Sequence, residues 1–279
     1  MSENTLFGQD GKYIDVGENK IYYYEEGVGA PVIFIHGIGQ SIFTFRKNIN
    51  EFAACFRVIA VDLIGHGNSD KPEIKYTISD YSEMIYSFMQ ALEIENAHFF
   101  AFSTGGIITI DLALKHPEVV KKLMLISPGG LTEHYPAKIK NLTIPLLSDF
   151  IFHFSNRRSL EKVLASGYFD RTNLNDQVVE GYYKFLSEDY SLDSVITTFN
   201  NWDDQEILDS LCLIQSPTYI FWGECDTWHP IELLELFEDY IEDLYSATVR
   251  NGGHFVHEEK FRELNRKAIE LLLIEEMPD

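Results

Sequence analysis

Apolar positions in this chain cluster in short unbroken runs that alternate with longer stretches of helical period. Residues 12–16 and 20–25 alternate in polarity around Gly17-Glu18-Asn19 and predict an N-terminal hairpin. Pro31–Ile35, Arg57–Val61, Phe99–Phe102, residues 122–127 and Pro217–Trp222 read as buried strands, with a shorter one near Ala247–Val249. Helices are expected over residues 42–54, from a Ser79-Asp80 cap to about Leu92, over the apolar stretch ending at Lys115, around 230–240, and from Val256 to Ile274. Strands and helices taking turns predict a parallel sheet with right-handed crossovers.

The alternation stops between about Pro128 and Leu211. That stretch has no strand-like run, only helical patterning rich in aromatics: Phe150, Phe152, Phe154, Tyr168, Phe169, Tyr182, Tyr183, Phe185, Phe199 and Trp202. The fold class expected is therefore α/β, a mostly parallel, doubly wound sheet carrying an inserted helical cap. Residues 1–129 and 211–279 would form the core, and 130–210 the cap. The aromatics of the cap read mainly as its own small core, with some facing a cleft beneath it.

Composition narrows the function. The net charge of −22 argues against nucleic acid or an anionic membrane as partner, and reads as a soluble, self-repelling surface. Cys55, Cys212 and Cys225 form no disulfide framework and read as buried or incidental thiols of a reducing compartment. The first residues show no basic and apolar leader pattern, so a cytoplasmic location is expected, and Asn141-Leu142-Thr143 carries no weight as a glycosylation sequence. No zinc-binding spacing is present, so no metal is expected.

The chemistry begins at Ser103. The apolar run Phe99–Phe102 leads into Ser103-Thr104-Gly105-Gly106 and then into an apolar helix. A strand, a turn too tight for side chains and a helix would lift the serine clear of the sheet, with helix amides behind it. A nucleophilic hydroxyl needs that setting. Asp226 follows the strand ending at Trp222, and Asn251-Gly252-Gly253-His254 follows the last strand. Loops at the carboxyl ends of parallel strands converge, so Ser103, Asp226 and His254 can meet. Glu224 competes with Asp226 for the acid, and His257, read as a surface residue or cap contact, competes with His254 for the base.

Ala101-Phe102-Ser103-Thr104-Gly105 closely resembles the G-x-S-x-G nucleophile elbow of α/β-hydrolases, and the order Ser, Asp, His is that family's order. His36-Gly37-Ile38-Gly39 resembles its oxyanion loop. Asp62-Leu63-Ile64-Gly65-His66-Gly67-Asn68-Ser69 resembles the loop after its next strand. The resemblance implies an oxyanion hole made by the backbone N–H groups of Ile38 and Thr104, and a structural role for Asp62. His36 and His66 would shape loops, and Gly65 and Gly67 would meet conformational needs.

The reaction expected is hydrolysis of carboxylic esters of small to medium apolar groups through an acyl-enzyme on Ser103. The partners would be an ester substrate and water, without a cofactor, and a homodimer is left open. Serine at the elbow disfavours dehalogenase and epoxide hydrolase chemistry, which uses aspartate there. C–C bond hydrolases of activated diketones resemble the chain in size and cap, but usually carry Asn where this chain has Phe102. A non-catalytic receptor on the same fold is a further alternative. Gly37-Ile38-Gly39 after a strand, with Asp62 ending the next, imitates a dinucleotide fingerprint, but Ile42 replaces its third glycine. Arg157 and Arg158 read as solvated surface rather than as contacts to an acidic substrate.

Overall fold

The structure is a computed structural model, described over residues 11–129, 156–187 and 191–274. Its strands are β1 (Lys12–Val16), β2 (Asn19–Glu26), β3 (Pro31–Ile35), β4 (Arg57–Val61), β5 (Ala97–Phe102), β6 (Val120–Ile126), β7 (Thr218–Gly223) and β8 (Leu244–Val249). They form one eight-stranded sheet in the order β1-β2-β4-β3-β5-β6-β7-β8. The hairpin β1–β2 pairs antiparallel and β2 lies antiparallel to β4, while every later pairing is parallel.

The chain steps from β3 outward to β4 and then back across to β5. With right-handed crossovers, that reversal places the first and second connecting helices on opposite faces. It also opens a crevice at the carboxyl ends of β3 and β5, where ligands of open α/β sheets bind. The helices of this frame are α1 (Ile49–Ala53), α2 (Ile78–Ala91) and α3 (Thr104–Lys115). Among the described residues, four more lie between β6 and β7: α4 (Arg157–Gly167), α5 (Asp176–Leu186), α6 (Ser191–Asn200) and α7 (Gln205–Ser210). They are followed by α8 (Leu234–Tyr240), α9 (Val256–Glu259) and α10 (Phe261–Leu273).

Central strands flanked on both faces read as continuous apolar runs, and every residue of β5 is buried. Phe34 of β3 stacks on Phe100 of β5 at 4.7 Å, with Phe45 and Phe52 set edge-on to Phe34 at 5.1 Å. The one lysine buried in β6, Lys122, donates from Nζ to the carbonyl of Leu271 at 3.2 Å, satisfying an orphan acceptor at the end of α10.

Several helix boundaries differ from expectation because tertiary contacts overrule the local period. Residues 42–54 form a 3₁₀ turn, Ile42–Phe45, and then the short α1. The break falls where the buried Asn48 side chain donates to the His257 carbonyl at 3.0 Å and to Asn265 Oδ1 at 2.7 Å. The cap of α2 is Thr77 rather than Ser79, in a reciprocal box with Asp80. The expected last helix is divided at Lys260, and the stretch near 230–240 opens with a 3₁₀ turn. β8 starts earlier than expected, at Leu244.

Among the described residues between β6 and β7 there are helices and no strand. Residues 130–155 of the expected cap, with Phe150, Phe152, Phe154 and Asn141, lie outside the described residues. Cys55 and Cys212 are exposed and Cys225 is intermediate, all as free thiols, so of the two expected readings the exposed pair takes the incidental one. Among the described residues no helix is long and apolar enough to cross a membrane.

Candidate active site

Ser103 stands between β5 and α3 with φ 56° and ψ −130°, a backbone state that costs a non-glycine residue energy. The strain is held by packing and hydrogen bonds. The Ser103 N–H donates to the Ile126 carbonyl at 2.9 Å, and its own carbonyl accepts from Gly106 N–H at 2.9 Å. Gly105 is needed for the same turn: a Cβ there would lie 2.5 Å from the His36 carbonyl oxygen and 2.7 Å from that of Ile35.

The structure brings Ser103, His254 and Asp226 into one line. His254 Nε2 lies 3.0 Å from Ser103 Oγ, and His254 Nδ1 lies 2.8 Å from Asp226 Oδ2. The carboxylate only accepts, so Nδ1 carries the hydrogen and Nε2 is left to accept from the serine hydroxyl. Asp226 is itself fixed: Oδ1 accepts the backbone N–H groups of Trp228 at 2.8 Å and His229 at 2.9 Å, which leaves Oδ2 to His254. Burial alone would raise the Asp226 carboxyl, but His254 beside it, then His229, hold it below the usual range. His254 is fully buried and Ser103 is 7% exposed.

The rival assignments part clearly. Glu224 is exposed and lies by the Asn251 N–H at 3.4 Å, away from His254. His257, expected at the surface or as a cap contact, is fully buried, with Nε2 2.8 Å from Thr44 Oγ1. It packs against the Phe102 ring at 4.1 Å, so the tertiary fold rather than its place in the sequence buries it. Arg157 pairs with Asp176 at 2.7 Å and Glu180 at 3.4 Å, at the surface.

The loops around the serine are tied together as a unit. His36 Nδ1 donates to the Gly37 carbonyl at 2.7 Å, and its Nε2 accepts the Leu63 N–H at 3.0 Å. Burial and the neighbouring His66 push the His36 imidazole down to about 3, so it is neutral at pH 7. Asp62 accepts from Ile42 N–H at 2.7 Å and Asn68 N–H at 2.9 Å, and a Cβ on Gly67 would lie 2.1 Å from its Oδ2. Gly65 and Gly67 both take positive φ, 83° and 51°.

At the expected oxyanion hole, the Ile38 N–H donates to Thr104 Oγ1 at 2.7 Å. That donor is engaged by the chain itself in this structure. The backbone N–H of Thr104 opens α3, one of the amides of a first helical turn that have no intrahelical partner.

Sequence reasoning missed the residues that pack around His254. The Trp228 ring lies 4.9 Å from it, His229 4.6 Å and edge-on, and Phe102 4.9 Å. His229 is held through Nδ1, 3.2 Å from the Ser127 carbonyl, and burial together with His254 pushes it down to about 4. The signal lay in Asp226-Thr227-Trp228-His229-Pro230, where two aromatic rings follow the acid within one short loop. Also missed was a buried charge beneath the site: Glu258, fully buried, ion-paired to Arg46.

The fold agrees with what the chain is similar to. A model of the alpha/beta hydrolase fold matches residues 30–261. A 2-hydroxy-6-oxo-6-phenylhexa-2,4-dienoate hydrolase of Comamonas testosteroni is 27% identical over 271 residues, covering 92% of this chain and 93% of that one. Among solved structures, the carboxylesterase CesB of Bacillus subtilis matches with a TM-score of 0.84 at 20% identity, over 96% of this chain and 94% of its own. The meta-cleavage product hydrolase CumD of Pseudomonas fluorescens IP01 matches with a TM-score of 0.83 at 23% identity, over 94% and 97%.

Proposed function

This chain belongs to the α/β-hydrolase family and is a hydrolase, and we propose that it is a serine hydrolase of carboxylic esters with small to medium apolar groups. The observation that carries the reading is the hydrogen-bonded line from Asp226 Oδ2 through His254 to Ser103 Oγ, at 2.8 and 3.0 Å.

In this reading His254 Nε2 takes the proton of Ser103 as Oγ attacks the ester carbonyl. Asp226 holds the imidazole tautomer and stabilises the imidazolium that forms. Charge then develops on the carbonyl oxygen, and the N–H groups of Ile38 and Thr104 receive it once Ile38 leaves the Thr104 hydroxyl. Collapse breaks the C–O bond, His254 protonates the departing alcohol, and an acyl group stays on Ser103. Water, deprotonated by His254, then releases the acid. The helices between β6 and β7 would serve as the cap that sets substrate preference, with an apolar face toward the cleft.

A second reading, hydrolysis of a C–C bond in an activated diketone, is favoured by the 27% identity to the phenylhexadienoate hydrolase over nearly the whole of both chains. The residue before the nucleophile weighs the other way. Phe102 is buried and packs its ring on His254 at 4.9 Å, so it brings no hydrogen-bonding group to the substrate.

A fluorophosphonate probe tests the chemistry. Wild type is expected to be modified on Ser103, and Ser103→Ala to lose both the label and turnover; a label on another residue overturns the assignment. Ranking esters, thioesters, lactones and vinylogous diketones by kcat/KM separates the two readings, and a preference for the diketone decides for C–C cleavage.

A further inference from the structure

The end of α4 and the turn after it touch both loops that carry the candidate site. Ser166 accepts through its carbonyl from the Thr227 hydroxyl at 2.6 Å, and through Oγ from the Trp228 indole N–H at 2.9 Å. The Gly167 carbonyl accepts the backbone N–H of His254 itself at 2.7 Å. Asp170 N–H donates to Glu259 Oε1 at 2.8 Å, while Glu259 Oε2 accepts from Gly253 N–H at 2.7 Å. The insertion is thus bound to the residues on either side of His254.

At the centre of this junction is the fully buried Glu258. Its carboxylate accepts from both terminal nitrogens of Arg46, from the Tyr168 hydroxyl and from the Tyr182 hydroxyl, so every lone-pair direction is used. Tyr168 and Tyr182 come from the insertion and Arg46 from the core. Thr44 Oγ1 joins them, 2.8 Å from the Tyr182 hydroxyl and 2.8 Å from His257 Nε2. The Tyr168 ring also stacks on Phe255, the neighbour of His254, at 4.6 Å and 13°. The segment from His254 to Glu258 is therefore gripped at one end by the Gly167 carbonyl and at the other by the Tyr168 hydroxyl.

A buried ion pair is weak as a source of stability, because desolvating both charges offsets most of their attraction. Apolar packing would hold these elements together as firmly, but it is not directional. Hydrogen bonds to a carboxylate fix angles as well as distances, which is what a proton-transfer group within hydrogen-bond reach of its partner requires.

We propose that Glu258, engaged from the insertion by Tyr168 and Tyr182, is a positioning residue that holds His254 in line with Ser103. The segment 166–170 is then part of the catalytic frame rather than of a detachable cover. This rests on the Ser103–His254–Asp226 reading above, and the test separates the two.

Tyr168→Phe keeps the ring stacked on Phe255 and removes only the hydroxyl that reaches Glu258. In the full chain, its kcat for p-nitrophenyl acetate is expected to fall between about tenfold and a hundredfold, the scale of a small displacement of a catalytic group. KM should stay within about twofold, because the interaction acts on the chemical step rather than on binding. Fluorophosphonate labelling of Ser103 should slow in proportion. Met89→Ala, at a buried position near the end of α2 in the core, serves as a matched destabilised control, with a lower Tm and unchanged kcat. If Tyr168→Phe retains wild-type kcat, or loses only as much as Met89→Ala, the proposal is overturned. Should Tyr168→Phe not fold, Tyr182→Phe removes the other insertion hydroxyl from the same carboxylate, and the same outcomes decide. A wild-type protein not labelled on Ser103 overturns the hydrolase assignment, and the positioning role with it. A labelled wild type with an undisturbed Tyr168→Phe overturns the positioning role alone.

Discussion

The backbone N–H of Ile38 donates to the hydroxyl of Thr104 at 2.7 Å, closing the gap between the loop after β3 and the first residue of α3. In the reading proposed above this N–H receives the oxyanion, and it must then be released from Thr104 before it can serve a substrate. A neutral hydrogen bond of this kind is worth about 0.5–1.5 kcal/mol net, so the cost of release is roughly twofold to tenfold in rate.

Thr104→Val keeps the branched shape and removes the acceptor. The rate of Ser103 labelling by a small fluorophosphonate is expected to rise by that factor, while Thr104→Ser stays near wild type. A slower Thr104→Val would mean that the hydroxyl itself donates to the oxyanion, and the reading of Ile38 as a freed donor would fail.

Asp226→Asn should leave the fold intact and lower kcat by about 10⁴, since the amide no longer fixes the tautomer in which Nε2 accepts the serine proton. Glu224→Gln should change little, because that side chain is exposed and away from His254. Steady-state kinetics on one ester distinguishes them, and a larger loss in Glu224→Gln sinks the assignment of the acid.

Acid should weaken the fold well above the range where carboxylates titrate. Burial, the largest cause in each case, pushes His36 and His257 down to about 3, and His66, His98 and His229 down to about 4. In the unfolded chain these groups titrate near about 6.5, so between about 4 and about 6.5 the unfolded state binds more protons. The stability they contribute is complete above about 6.5 and is lost as pH falls through that window. Asp226 and Glu258, both held below the ordinary carboxylate range against the opposing effect of burial, add further loss at lower pH. Calorimetric Tm should therefore decline steadily on acidification from neutrality, and a flat Tm down to about pH 5 would contradict the buried, neutral histidines.

Gly105→Ala places a Cβ 2.5 Å from the His36 carbonyl oxygen, against backbone that has no free rotamer to yield. The elbow must then move away from the oxyanion loop. Lower Tm and loss of Ser103 labelling are expected together. Wild-type labelling in a folded Gly105→Ala protein would show that this close approach is not required.

The strands and the elbow were legible in the sequence because they depend on local signals. Buried parallel strands must be apolar on both faces, as β5 is from Phe99 to Phe102, and the turn after Ser103 leaves no room for a Cβ at Gly105. Asp226 and His254 were legible for a related reason: each follows a strand of one parallel sheet, and the carboxyl ends of such strands lie side by side. Choosing Asp226 over Glu224, and His254 over His257, relied on resemblance; the structure sets His254 Nδ1 2.8 Å from Asp226 Oδ2 and His254 Nε2 3.0 Å from Ser103 Oγ.

Long-range contacts left no local period to read. His257 looks like a polar residue one turn beyond the loop, yet α9 turns it beneath Phe102 and against Thr44, 213 residues away in the chain. Glu258 reads as an ordinary charged position, and only the fold brings it Arg46 from one side and Tyr168 and Tyr182 from the stretch between β6 and β7. The Ile38–Thr104 bond likewise spans 66 residues, and neither side chain announces it. Sequence by itself determined which residues can be buried and where the backbone must turn, since period, volume and φ act between neighbours. The tertiary structure decided which buried polar groups meet, because a hydrogen bond depends on a few tenths of an ångström and on an angle, and those are set only when distant elements dock.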